Sequence, residues 1–142
     1  MKFVPTTALA AVLALLCSPA VGCTVSTSGI AFGGYDPFVS QDVRSVASIS
    51  VTCDESTAYS ISLSAGSGTY EQRAMTNGLH QLLYNLYTDA TLNTVWGDGS
   101  GHTSIVSDNQ SAGIYTVYGR IPARQNAFVG AYSDMIVITL TF

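Results

Sequence analysis

An all-β sandwich is the fold this sequence predicts, on three observations. Apolar residues recur at every second position in several separate stretches, clusters of turn-forming residues divide those stretches, and helical spacing fits none of them as well. Successive side chains of a strand point to opposite faces, so a period of two means one dry face and one wet face.

The chain opens on a leader. Lys2 supplies a positive end, Thr7 to Cys17 an apolar run, and Ser18-Pro19-Ala20 the small residues of a cleavage site, so residues 1–20 read as an export signal and residues 21–142 as one exported domain. The apolar run is short for a membrane span, and no later stretch replaces it. Ala20-Val21-Gly22-Cys23 also resembles a lipoprotein box, in which Cys23 would become the lipidated first residue. That reading lacks a leucine three positions before the cysteine and leaves Cys53 unpaired in an oxidising compartment. Once the leader takes Cys17 with it, Cys53 is otherwise the partner open to Cys23, and a disulfide between them is expected.

The strands follow in order. Ala47, Ile49, Val51 and Cys53 alternate with Ser48, Ser50 and Thr52, and Tyr59, Ile61, Leu63 and Ala65 alternate with Ser60, Ser62 and Ser64. Leu82, Tyr84 and Leu86 form a third row and Tyr115, Val117, Gly119 and Ile121 a fourth. Ile136, Ile138, Leu140 and Phe142 form a fifth within the uncharged final stretch, Met135 to Phe142. Turn signals separate the rows: Gly33-Gly34 before Asp36-Pro37, Gly66-Ser67-Gly68, Asn77-Gly78, Asp89 to Asn93, Gly97-Asp98-Gly99, Ser107-Asp108-Asn109 and Ile121-Pro122. Edge strands commonly carry lysine or an inward charge, and the final stretch carries neither. Two readings stay open for it: an internal strand covered on both sides, or a strand beside a gap that awaits a partner.

Charge narrows the partners. Loss of Lys2 with the leader leaves Arg44, Arg73, Arg120 and Arg124 against nine acidic residues, a net charge of −5 with no lysine. Nucleic acid and anionic lipid are poor partners for such a domain. His80 and His102 are the only histidines, and a disulfide consumes both mature thiols, so neither a Cys–His pair nor a thiolate metal site is on offer. Asp98, His102 and Asp108 are a conceivable oxygen-and-nitrogen metal set, though loop acids beside glycine are ordinarily turn formers. Tyr35, Tyr84, Tyr87, Trp96, Tyr115, Tyr118 and Tyr132 could line an adhesive or sugar-binding patch, but such rings more often fill a sandwich core. No cofactor and no catalytic constellation is expected.

One set of local sequences, taken in order along the chain, carries a resemblance. Cys23-Thr-Val-Ser, Phe32-Gly-Gly-Tyr35, Val51-Thr-Cys53, Gly66, Arg73-Ala-Met75, Leu83-Tyr-Asn-Leu-Tyr87, Trp96-Gly-Asp-Gly99, Val117-Tyr-Gly-Arg-Ile-Pro122 and Gly130-Ala-Tyr-Ser-Asp134 together resemble the spore coat protein U domain family, which also contains the subunits of archaic chaperone–usher pili. The resemblance implies an immunoglobulin-like β-sandwich that lacks one strand and is completed by a donated one. It implies as partners a periplasmic chaperone, an outer-membrane usher and neighbouring subunits, and a route through the periplasm to the cell surface. Strand addition of this kind draws affinity from main-chain hydrogen bonds and specificity from alternate side chains entering pockets. On this reading Ile136, Ile138, Leu140 and Phe142 rim the acceptor groove. Arg73 and Asp134 are structural, with Arg73 partnering a carboxylate or a set of carbonyls. A subunit that also donates a strand needs an arm of alternating apolar residues before its first cysteine, and cleavage after Ala20 leaves Val21 and Gly22. The expectation is a strand acceptor without a donor arm of its own.

Three functions follow as alternatives. The first is a non-enzymatic structural subunit, or an accessory or terminal component, of a pilus or a surface or spore coat. The second is a monomeric secreted adhesion or ligand-binding module. A small secreted hydrolase is the third, and the sequence holds least for it.

Overall fold

The computed structural model describes residues 20–142, so the expected leader lies outside the described residues up to its last position, Ala20. Eight strands follow in chain order: β1 Cys23–Thr27, β2 Val43–Leu63, β3 Arg73–Asn77, β4 His80–Tyr87, β5 Val95–Trp96, β6 Thr103–Ser104, β7 Val106–Ile121 and β8 Ile138–Thr141. They form an open sheet in the order β1-β2-β7-β4-β5-β6, with β3 added to β4 and β8 added to β2. The pairings are antiparallel except for β5 with β6.

Two rows read from the sequence as separate strands are one. The stretches around Val51 and Ile61 belong to β2, a strand of 21 residues, which pairs with the 16-residue β7 on both sides of an irregularity between Thr52 and Thr57. Asp54-Glu55-Ser56 bulge into water there, which is why the apolar alternation pauses. Extra residues in one strand bend it and sharpen its twist. Ile49 and Val51 before the bulge and Ile61 and Leu63 beyond it join Val117 and Ile121 in one core, so the sheet folds over on itself as an incomplete sandwich. Trp96 seals that core: it is wholly buried, and its indole Nε1 donates to the Ile61 carbonyl at 3.0 Å.

Beyond the bulge a polar cluster ties β2 to β7. The Tyr59 and Tyr115 hydroxyls meet, and the Tyr115 hydroxyl donates to Asp108 Oδ2 at 2.8 Å. Burial and the Tyr59 hydroxyl together push the Tyr115 phenol far above its usual range, so it remains a donor.

Cys23 and Cys53 face each other in the β1–β2 register and are bonded, with Cα atoms 4.0 Å apart. The bridge closes a loop between positions 30 residues apart and holds β1 against β2. Replacing Cys53 with serine should cost about 2–5 kcal/mol of stability. Thermal melting of the exported protein checks this, and peptide mass spectrometry should recover Cys23 and Cys53 in one linked fragment. A lipidated Cys23 or a free Cys53 thiol would overturn the expectation.

Candidate functional site

Two of the strand edges in this fold, those of β1 and β8, have no strand beside them among the described residues. β1 and β8 each pair with β2 alone. Ser64 N donates to the Val137 carbonyl at 3.0 Å and Val137 N donates to Ser64 Oγ at 2.9 Å, so the odd-numbered residues of this stretch turn their backbone groups toward β2. Antiparallel partners alternate, so Ile136, Ile138 and Leu140 turn theirs to the opposite, unpaired side.

The inward side chains report the same vacancy. In β1, Val25 sits opposite Val51, yet Val51 is 1% exposed and Val25 38%. Ile136, Ile138 and Leu140 pack on the core but are only half-buried. A residue aimed inward and still open to water lacks a neighbour on that side.

Between the segment that continues β1 and the segment that leads into β8 lies a groove with two cavities. One, of about 280 Å³, is walled by Thr27, Gly29 and Ile30 on one side and Ile136 and Ile138 on the other, over a floor of Ala47, Ile49, Leu86 and Val117. The other, of about 750 Å³, is walled by residues 33–35 and 127–132 over Met75, Leu82 and Ile121. Of the four residues read from the sequence as a groove rim, Ile136 and Ile138 line the smaller cavity. Leu140 packs on the core without lining either cavity, whereas Phe142 follows β8 and is 57% exposed.

Arg73 and Asp134 each sit at the centre of a separate hydrogen-bond set. Arg73 is wholly buried on β3. Its Nε and Nη2 donate to the Ser64 carbonyl at 3.0 and 2.8 Å, Nη2 also to the Trp96 carbonyl at 2.7 Å, and Nη1 to Asn85 Oδ1 at 2.7 Å. Of the two kinds of partner expected, carbonyls are the ones found. Asn85 continues the network by donating from Nδ2 to the Tyr70 carbonyl at 2.8 Å.

Asp134 serves a different set of donors. It accepts from Ser67 N at 3.0 Å, Ser67 Oγ at 2.8 Å, Met135 N at 2.9 Å and the Tyr84 hydroxyl at 2.7 Å. Burial, reinforced by the Asp134 carboxylate, drives the Tyr84 phenol far above its usual range and keeps it a neutral donor under the groove. Gly66 makes this approach possible: its φ is +64°, and a Cβ there would stand 2.2 Å from Asp134 Oδ2.

The other candidates are not brought together. Asp98 bonds Ser100 and Asp108 bonds Asn109, Gln110 and Tyr115, so each acid serves its own loop or strand. Among the described residues no group of three or more histidines, cysteines or acids could hold a metal ion. His80 begins β4 beside the Asn77-Gly78 turn and stacks on Phe128 with ring centroids 4.0 Å apart. Of the aromatic set, Tyr84 and Trp96 are buried in the core, and Tyr35, Tyr115 and Tyr132 pack against it. Sequence reading missed Gln125, which grips Leu83 through both N and O at 2.8 Å. No local pattern marks such a clamp across 42 positions.

Comparison with known proteins places this geometry. The profile of the Spore Coat Protein U domain matches residues 7–139. Protein U of Myxococcus xanthus is 32% identical over 139 residues, covering 86% of this chain and 76% of that protein. Among solved structures, a chain of the CsuC–CsuE chaperone–tip adhesion subunit pre-assembly complex, from archaic chaperone–usher Csu pili of Acinetobacter baumannii, superposes with a TM-score of 0.62 at 23% identity. The match covers 86% of this chain but 40% of the other, so this chain spans two fifths of that one's length and shares its fold.

Proposed function

The chain belongs to the Spore Coat Protein U domain family, and from that premise we propose that it is a non-enzymatic subunit or accessory component of a pilus or coat assembly, whose unfinished sandwich accepts a β-strand from a partner. The observation that carries this reading is the pair of edges, β1 and β8, with no strand beside them among the described residues and with Val25, Ile136, Ile138 and Leu140 aimed inward yet still open to water. An open edge above a dry floor pairs with whatever strand arrives, so such a subunit needs a temporary occupant until assembly. A periplasmic chaperone supplies that occupant, an usher and neighbouring subunits follow, and the assembled chain resides at the cell surface.

A chaperone test follows directly. Co-expressed with the periplasmic chaperone of a related pilus system, the exported chain should be recovered as a one-to-one complex. The Ile138 and Leu140 amides should exchange quickly in the free chain and become protected in the complex. A free monomer in which those amides are already protected would sink the acceptor reading.

One observation favours the adhesive alternative as a second role. Phe38, Leu79 and Val129 sit on separate loops with nearly their whole side chains in water. Loop tips of this kind suit contact with an external surface.

A further inference from the structure

We infer that the groove sorts incoming strands by side-chain size, taking a medium aliphatic residue, then a residue no larger than alanine, then an aromatic one at three successive inward positions. This rests on the acceptor reading above and specifies the partner it takes.

The floor of the groove follows the inward residues of β7. Val117 floors the smaller cavity and Ile121 the larger. Gly119 lies between them on the same face. A Cβ on Gly119 would stand 2.5 Å from Ile30 Cδ1 and 2.7 Å from Phe32 Cζ, so those two side chains already rest on the β7 backbone. Phe32 is held there edge-on against Tyr84, with ring centroids 5.8 Å apart. Ile30 lines both cavities, and with Phe32 it forms a septum between them.

An extended strand repeats its inward side chains every second residue, at the pitch of the Val117, Gly119 and Ile121 row. Its inward positions i, i+2 and i+4 therefore meet one chamber, the septum and the other chamber. At the septum no depth remains for a side chain. The smaller chamber has an aliphatic floor, whereas the larger is ringed by Phe32, Tyr35, Phe128 and Tyr132. Aromatic rings favour edge-to-face partners and bury large areas, so this chamber is matched by an aromatic side chain.

Three short dye-labelled peptides, with serine or threonine at every outward position, test the order of sizes. Their inward residues are Val–Ala–Phe, Phe–Ala–Val and Val–Phe–Ala, the first two covering both chain directions. Binding to the exported, disulfide-bonded chain is read by fluorescence anisotropy. One of the first two should bind at least about tenfold more tightly than the third. Ile30→Ala, which lowers the septum, should bring the third to within about threefold of the best. The ranking on the unaltered chain decides the matter even if that variant folds poorly. Equal affinities for all three would overturn the size order and leave the acceptor groove standing, whereas no binding by any of them would overturn both.

Discussion

Arg73→Met should cost the domain about 3–5 kcal/mol, enough to lower its melting temperature by on the order of 15 °C or to prevent folding. The guanidinium satisfies the Ser64 and Trp96 carbonyls and Asn85 Oδ1, all in the interior around a residue with no exposed surface. Methionine fills similar volume and donates nothing, so buried acceptors are left without partners at about 1–3 kcal/mol each. Ser64 also bonds Val137 through its own N and Oγ, so loosening it frees the segment leading into β8. Arg73→Lys should restore little, because one ammonium cannot reach acceptors that a planar fork spans together. Thermal melting and the yield of exported protein read the effect. Unchanged stability with loss of strand binding alone would show that Arg73 acts on the partner rather than on the fold.

What was legible in the sequence was the inward row of each long strand. Ile49, Val51, Ile61, Leu63, Leu82, Leu86, Val117 and Ile121 all enter the core, because alternation is a local signal that burial on one face enforces. The continuity of β2 was hidden by Asp54-Glu55, whose charges look like a loop and are a bulge within a strand. β5 and β6 have two residues each and cannot display a period. β1 offers only Val25 as a large apolar residue, and its existence depends on β2 and on the Cys23–Cys53 bond.

The groove itself was half legible, for a physical reason. The final row announced Ile136 and Ile138, yet strand pairing begins only at Ile138. Ile30 and Phe32 stand two residues apart, as strand residues would, but the segment that carries them forms no ladder. On the acceptor reading both observations have one cause: the pattern is written for a sheet that a strand from a partner completes. The Arg73 and Asn85 network and the Tyr84–Asp134 bond were beyond reading, since each joins positions from separate strands or turns.

Supplying the missing strand covalently should raise the melting temperature by about 10–20 °C. A donor segment from a related subunit, joined after Phe142 through a short Gly/Ser turn, could run back antiparallel along the free edge of β8. There it would meet the outward N–H and C=O groups of Ile136, Ile138 and Leu140, and its alternate side chains would enter the two cavities. Completing the burial of Val25, Ile136, Ile138 and Leu140, each now partly open, contributes about 1 kcal/mol apiece. For a domain of this length each kcal/mol moves the midpoint by about 4 °C, and tethering keeps the entropic cost of docking low. The same fusion with charged residues at its inward positions should leave the midpoint where it was, since the cavities would have to desolvate those charges without partners. Calorimetry of the three proteins compares them under one buffer. If the unfused domain already melts as late as the fusion, no strand is missing and the sandwich is complete as it stands.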